Sequence, residues 1–103
     1  EIEKILVSEV AKAGGRAYKW VSPGNAGVPD RIVILPGRTP VFVELKTDKG
    51  RLTALQESQI GRLRKLGQPV CVVYGLQGLS DFFRACGLME SRDRVRKILT
   101  GEN

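Results

Sequence analysis

Two apolar runs, Arg31-Ile-Val-Ile-Leu35 and Val41-Phe-Val-Glu-Leu-Lys46, stand with only Pro36-Gly37-Arg38-Thr39-Pro40 between them. Proline presets the first corner of a type II turn, and glycine tolerates the positive φ that its second corner needs. A connection this short cannot cross over, so the two strands must run antiparallel. A hairpin at this point dictates an α/β or all-β arrangement and sets the frame for every other element.

The flanking segments decide for α/β. Ile2, Ile5, Leu6, Val10 and Ala13 recur at helical spacing, which predicts a helix over 1–13 stopped at Gly14-Gly15. A short strand is expected over Ala17–Val21, with Tyr18 and Trp20 on one face. The stretch 22–29, SPGNAGVP, is rich in turn formers and reads as a loop. A second helix is expected over 53–66, with Thr53 as N-cap, Gln56 at the capping-box position, and Leu52, Leu55, Ile60, Leu63 and Leu66 as its apolar face. Pro69–Tyr74 is almost continuously apolar and predicts an interior strand. Shorter helices are expected over Leu79–Cys86 and 89–99. The order is α-β-β-β-α-β-α, a mixed β-sheet flanked by helices.

With 103 residues and 42% of them hydrophobic, the chain can build one core, so residues 1–103 are expected to form a single domain. No apolar stretch approaches the ~20 residues that span a bilayer. Cys71 and Cys86 lack metal-binding spacing and are expected to be free thiols, Cys71 as a buried small hydrophobe, in a reducing, cytoplasmic setting. The net charge of +6 points to an anionic partner, and phosphate backbones are the commonest. The chain has no histidine, which removes Ser-His and Cys-His nucleophile pairs and the imidazole base. Any catalysis must use carboxylates, lysine, bound metal and water.

Charge inside the second hairpin strand is therefore informative. Alternation places Phe42, Glu44 and Lys46 on one face, with Glu44 and Lys46 roughly 7 Å apart at the backbone. Asp30 opens the preceding strand, and an even-to-even register would bring it beside them; a one-residue slip would not. Pro29 holds Val28 extended and so delivers Asp30 at a defined angle. Two converging carboxylates suit a hard divalent cation such as Mg²⁺. A surface salt bridge between Glu44 and Lys46 is the plainer alternative.

The pattern Gly27-Val-Pro-Asp30, thirteen residues, then Glu44-Leu45-Lys46 resembles the PD-(D/E)XK nuclease superfamily. The longer stretch YKWVSPGNAGVPDRIVILPGRTPVFVELKTDKGRLTALQ resembles its VRR-NUC branch, with similarity from about Ile2 to Tyr74. The resemblance implies a restriction-endonuclease-like core and a Mg²⁺- or Mn²⁺-dependent endodeoxyribonuclease of the stand-alone bacterial or phage type. It implies Asp30, Glu44, Lys46 and Gln56 as catalytic residues. It also implies Glu3 as a further metal ligand, direct or through water, with Glu1 and Glu9 as competing choices. The Leu45 carbonyl would be another ligand, and Lys19 a phosphate contact. Gln56 would hold metal-bound water or Lys46, and Gln59 is a weaker candidate. Arg31, Lys49 and Arg51, with Arg62, Arg64 and Lys65, could track phosphate. Residues 84–103 match nothing in the family and read as a helical tail. One site per short chain suggests a homodimer, and the family suggests branched DNA such as four-way junctions. Val7 or the tail would supply its interface. The competing function is a non-catalytic or recruited DNA-binding module of a larger complex.

Overall fold

The computed structural model describes residues 1–102, in the order α1 (Ile2–Lys12), β1 (Arg16–Lys19), β2 (Arg31–Ile34), β3 (Val41–Lys46), α2 (Ala54–Lys65), β4 (Val70–Tyr74), α3 (Gly75–Ala85) and α4 (Met89–Thr100). The sheet order is β1-β2-β3-β4, with the first two pairings antiparallel and the third parallel. The hairpin turn forms as its sequence requires: Gly37 has φ +68, and the Arg38 N–H donates to the Leu35 carbonyl at 3.2 Å.

Odd-numbered strand residues face the core. Ala17, Val33, Val43 and Val73 meet Leu6 and Val10 of α1, Leu79, Phe82 and Phe83 of α3, and Val95 of α4 in one cluster. Even-numbered residues of β3 face the other way, toward α2. The helix α2 covers that face with the narrow stripe Gln56, Ile60 and Leu63, of which Ile60 is buried. Leu55 and Leu66, expected on its apolar face, are 60% and 74% exposed, because α2 lies at the sheet margin against the edge strand.

Further expectations need correction. The strand β4 is an edge strand, not an interior one; helices on both of its faces, α2 and α3, account for its apolar run. The helix α3 starts at Gly75, directly after the strand and one turn earlier than expected. The segment expected as a helical tail, 84–103, is largely helical over its described part and joins the core. The helix α4 packs along α3 and places Val95 in the core with no exposure. Its Arg94 and Ser91 clasp Glu9 of α1, at 2.7 Å each. Val7, offered as a dimer surface, packs against the same core. Cys71 and Cys86 are free, and Cys71 is half-buried rather than buried.

Candidate active site

The hairpin register places Arg31 opposite Val43 and Ile32 opposite Phe42. Continued by one step, Asp30 falls opposite Glu44, the even-to-even register that a shared site needs. Two backbone bonds hold Asp30 there. Its carbonyl accepts from the Trp20 N–H at 3.0 Å, and its Oδ2 accepts from the Leu45 N–H at 2.7 Å. The Trp20 ring packs on Phe42 with centroids 5.1 Å apart. The loop before Asp30 is pinned from the other side. Gly27 has φ +92, and a Cβ there would come within 2.7 Å of the Leu55 backbone. Only glycine lets the loop press against the start of α2.

That approach brings Gln56 to the sheet. Its Nε2 donates to Glu44 Oε2 at 3.0 Å, while its Oε1 accepts from the Thr53 N–H at 2.9 Å. The Thr53 hydroxyl accepts from the Gln56 N–H at 3.1 Å, completing the capping box. Gln56 therefore completes the cap and also bonds Glu44, where a contact with Lys46 or metal-bound water was expected. Lys46 Nζ lies 3.8 Å from the same Glu44 Oε2. Glu44 is 2% exposed, so this is no surface salt bridge.

The remaining Glu44 oxygen decides the chemistry. Oε1 is buried and has no hydrogen-bond partner. Burial, and then the Asp30 carboxylate beside it, push the Glu44 carboxyl up to about 7 against the pull of Lys46. An isolated buried oxygen of this kind costs free energy unless a cation or donor meets it. In an extended strand a residue's N–H and C=O project to the same edge. The Leu45 carbonyl is thus directed to the side where Asp30 sits. Two carboxylates and a carbonyl, all oxygen, fit a hard divalent cation.

Glu3 lines the same cleft, of about 660 Å³, with Asp30, Leu45 and Lys46. Its carboxylate is taken by Arg31, at 3.0 Å to both Nε and Nη2. The reason is alternation: Arg31, odd-numbered, faces α1, whereas Asp30 and Glu44 face α2. Among the described residues no three Asp, Glu, Cys or His side chains gather at coordinating distance. Glu9 is set apart from the site by its clasp with α4, and Glu1 lines the cleft but is exposed. Arg31 is not the open phosphate contact expected, since it also donates to the Ala17 carbonyl at 3.1 Å. Lys19, Lys49 and Arg51 are exposed near this end of the sheet. Gln59 donates to the Ala26 carbonyl and holds the loop instead of the site. Arg64 donates to the Val70 carbonyl. The sequence reading missed Asp48, Gly75 and Gln77, which line the cleft because α3 begins where β4 ends. The Tyr74-Gly75 step closing an apolar strand was the available signal.

Known proteins resemble this chain in sequence and fold. No protein-family model matches the chain. The protein described as "Putative nuclease p44", from Acyrthosiphon pisum secondary endosymbiont phage 1, is 50% identical over 84 residues, 82% of this chain and 89% of that protein. A solved VRR_NUC domain superposes with a TM-score of 0.75 at 28% identity, over 81% of this chain and 90% of that one. A second, a VRR_NUC domain protein, gives 0.59 at 17% identity over 80% and 84%, a likeness of fold. The mixed sheet between helices is accordingly the restriction-endonuclease-like α/β fold.

Proposed function

The chain belongs to the VRR-NUC family, and from that premise we propose that it is a divalent-metal-dependent endodeoxyribonuclease. The observation that carries this reading is the buried, partnerless Glu44 Oε1 beside Asp30 at one sheet end. Asp30, Glu44 and the Leu45 carbonyl would hold Mg²⁺ or Mn²⁺, with Glu3 reaching it through water across the shared cleft. When bound, such an ion lowers the pKa of water and offsets charge gathering on the phosphate. Lys46 orients the attacking water and faces the pentacovalent phosphate with a positive charge. Gln56 fixes the Glu44 carboxylate through Oε2 and leaves Oε1 without a partner. Lys19, Lys49 and Arg51 supply phosphate contacts around the site.

The intact set of Asp30, Glu44 and Lys46 favours an enzyme over a non-catalytic binding module. One hydrophobic core running from α1 to α4 supports residues 1–103 as a single nuclease domain. A phage relative fits work on DNA in the cytoplasm of a bacterial or phage-infected cell. Among the described residues, no helix is long and apolar enough to cross a membrane. Paired incisions at a four-way junction need two sites at fixed separation, which a twofold homodimer would supply.

The test is cleavage of linear, forked, flapped and four-way DNA with Mg²⁺, Mn²⁺, Ca²⁺ or EDTA, alongside light scattering at micromolar concentration. Turnover with Mg²⁺ and Mn²⁺, and little with Ca²⁺, is expected. Activity persisting after exhaustive chelation would overturn the metal-dependent reading. A monomer cutting linear duplex as well as junctions would overturn the junction and dimer readings alone.

A further inference from the structure

A second groove lies between α3 and α4, with a volume of about 370 Å³. Arg84 of α3 and Arg92 and Arg96 of α4 line it. Arg92 and Arg96 are one helical turn apart and share a face. Asp81 also lines the groove and accepts from Gln77 Nε2 at 3.1 Å. Arg92 pairs through Nε with Asp93 at 2.8 Å. Among the described residues, Arg84 and Arg96 form no ion pair with a carboxylate. Three guanidinium groups in one groove repel one another, and among the described residues no ion pair requires Arg84 or Arg96 to be cationic.

The groove adjoins the candidate cleft. Gln77 and Leu99 line both. A backbone with one phosphate at Asp30 would pass Gln77, near the start of α3, and Leu99 to reach the arginine groove. Planar guanidinium forks suit phosphate oxygens and need no base sequence. Lys49 and Arg51 stand exposed on the loop after β3.

We infer that the α3–α4 groove is a phosphate-binding subsite for nucleic-acid backbone flanking the scissile phosphate, with Arg84, Arg92 and Arg96 as its contacts. The inference rests on the nuclease reading for its substrate. It gives α4 a binding role besides its part in the core.

The experiment measures binding of a duplex oligonucleotide by anisotropy in EDTA across a salt gradient. Proteins compared are the wild type, the double variant R84Q/R96Q, its charge-retaining counterpart R84K/R96K, and R16Q as a charge-loss control on the distant β1 edge. Loss of two phosphate contacts lowers the slope of log K against log salt by about 1.8, and weakens binding about 60-fold at 0.1 M salt relative to the effect at 1 M. R84K/R96K should keep most of the slope, and R16Q should match the wild type. Hydrolysis of bis(4-nitrophenyl) phosphate, too small to reach the groove, should be equal in all four proteins. An unchanged slope in R84Q/R96Q, or an equal loss in R16Q, overturns the subsite. If the wild type hydrolyses neither DNA nor the small diester with Mg²⁺ or Mn²⁺, the nuclease reading fails, and the slopes still decide the groove.

Discussion

Replacing Glu44 with glutamine should make the metal-free protein more stable while abolishing cleavage. Glu44 is 2% exposed, with one oxygen shared by Gln56 and Lys46 and the other unmet. Its carboxyl titrates at about 7, against 4.5 in the unfolded chain. A folded value above the unfolded one means that the native state holds the proton more tightly. Stability is then greatest below pH 4.5 and falls as pH rises through 7. At 1.36 kcal/mol per pH unit, the ionised form costs about 3 kcal/mol at pH 8. Glutamine keeps the volume and cannot ionise, so most of this cost disappears. For a domain of this size the midpoint should rise by ~10 °C or more at pH 8 in EDTA, and by little at pH 4.5. Calorimetry on both proteins at both pH values provides the measurement. Adding Mg²⁺ or Mn²⁺ should raise the wild-type midpoint and leave the variant nearly unmoved. A Glu44→Gln protein less stable than the wild type at pH 8 would refute the argument, and full cleavage activity would remove Glu44 from the site.

Asp30→Asn and Lys46→Ala should each abolish cleavage of DNA with circular dichroism unchanged; binding should survive the lysine change, since seventeen basic residues become sixteen. Glu9→Gln should destabilise the fold at neutral pH by about 2 kcal/mol. The Arg94, Ser91 and Lys12 bonds hold Glu9 down to about 2, and the half-exposed Arg94 partner is discounted for screening. The wild type should lose that increment as pH falls from 4.5 toward 2, and the variant should not, as urea melts across that range would report.

The site was legible where local chemistry spoke for itself. Pro36-Gly37 announced the hairpin, Pro29 announced the entry of Asp30, and buried charge in an apolar strand singled out Glu44. The capping box at Thr53 and Gln56 was visible as well. What the sequence did not reveal depended on packing between distant elements. Nothing local to Arg31 says that α1 will lay Glu3 against it. A run such as Pro69–Tyr74 looks alike whether strands or helices cover it. The charged appearance of α4 concealed Val95, since a single buried valine leaves little periodic trace, and Glu9 meets Arg94 from 85 positions away in the sequence.

The bond from the Leu45 N–H to Asp30 Oδ2 makes the carboxylate proposed as a metal ligand also the last rung of the hairpin ladder. Catalytic competence thereby becomes a proofreading signal for folding. A hairpin mispaired by one residue turns Asp30 to the opposite face and deprives Leu45 of its acceptor, so a slipped molecule is silent instead of partly active. The pool of cutting molecules should contain natively paired ones alone. Specific activity after refolding then counts correct registers, a resolution that bulk secondary-structure signals cannot reach.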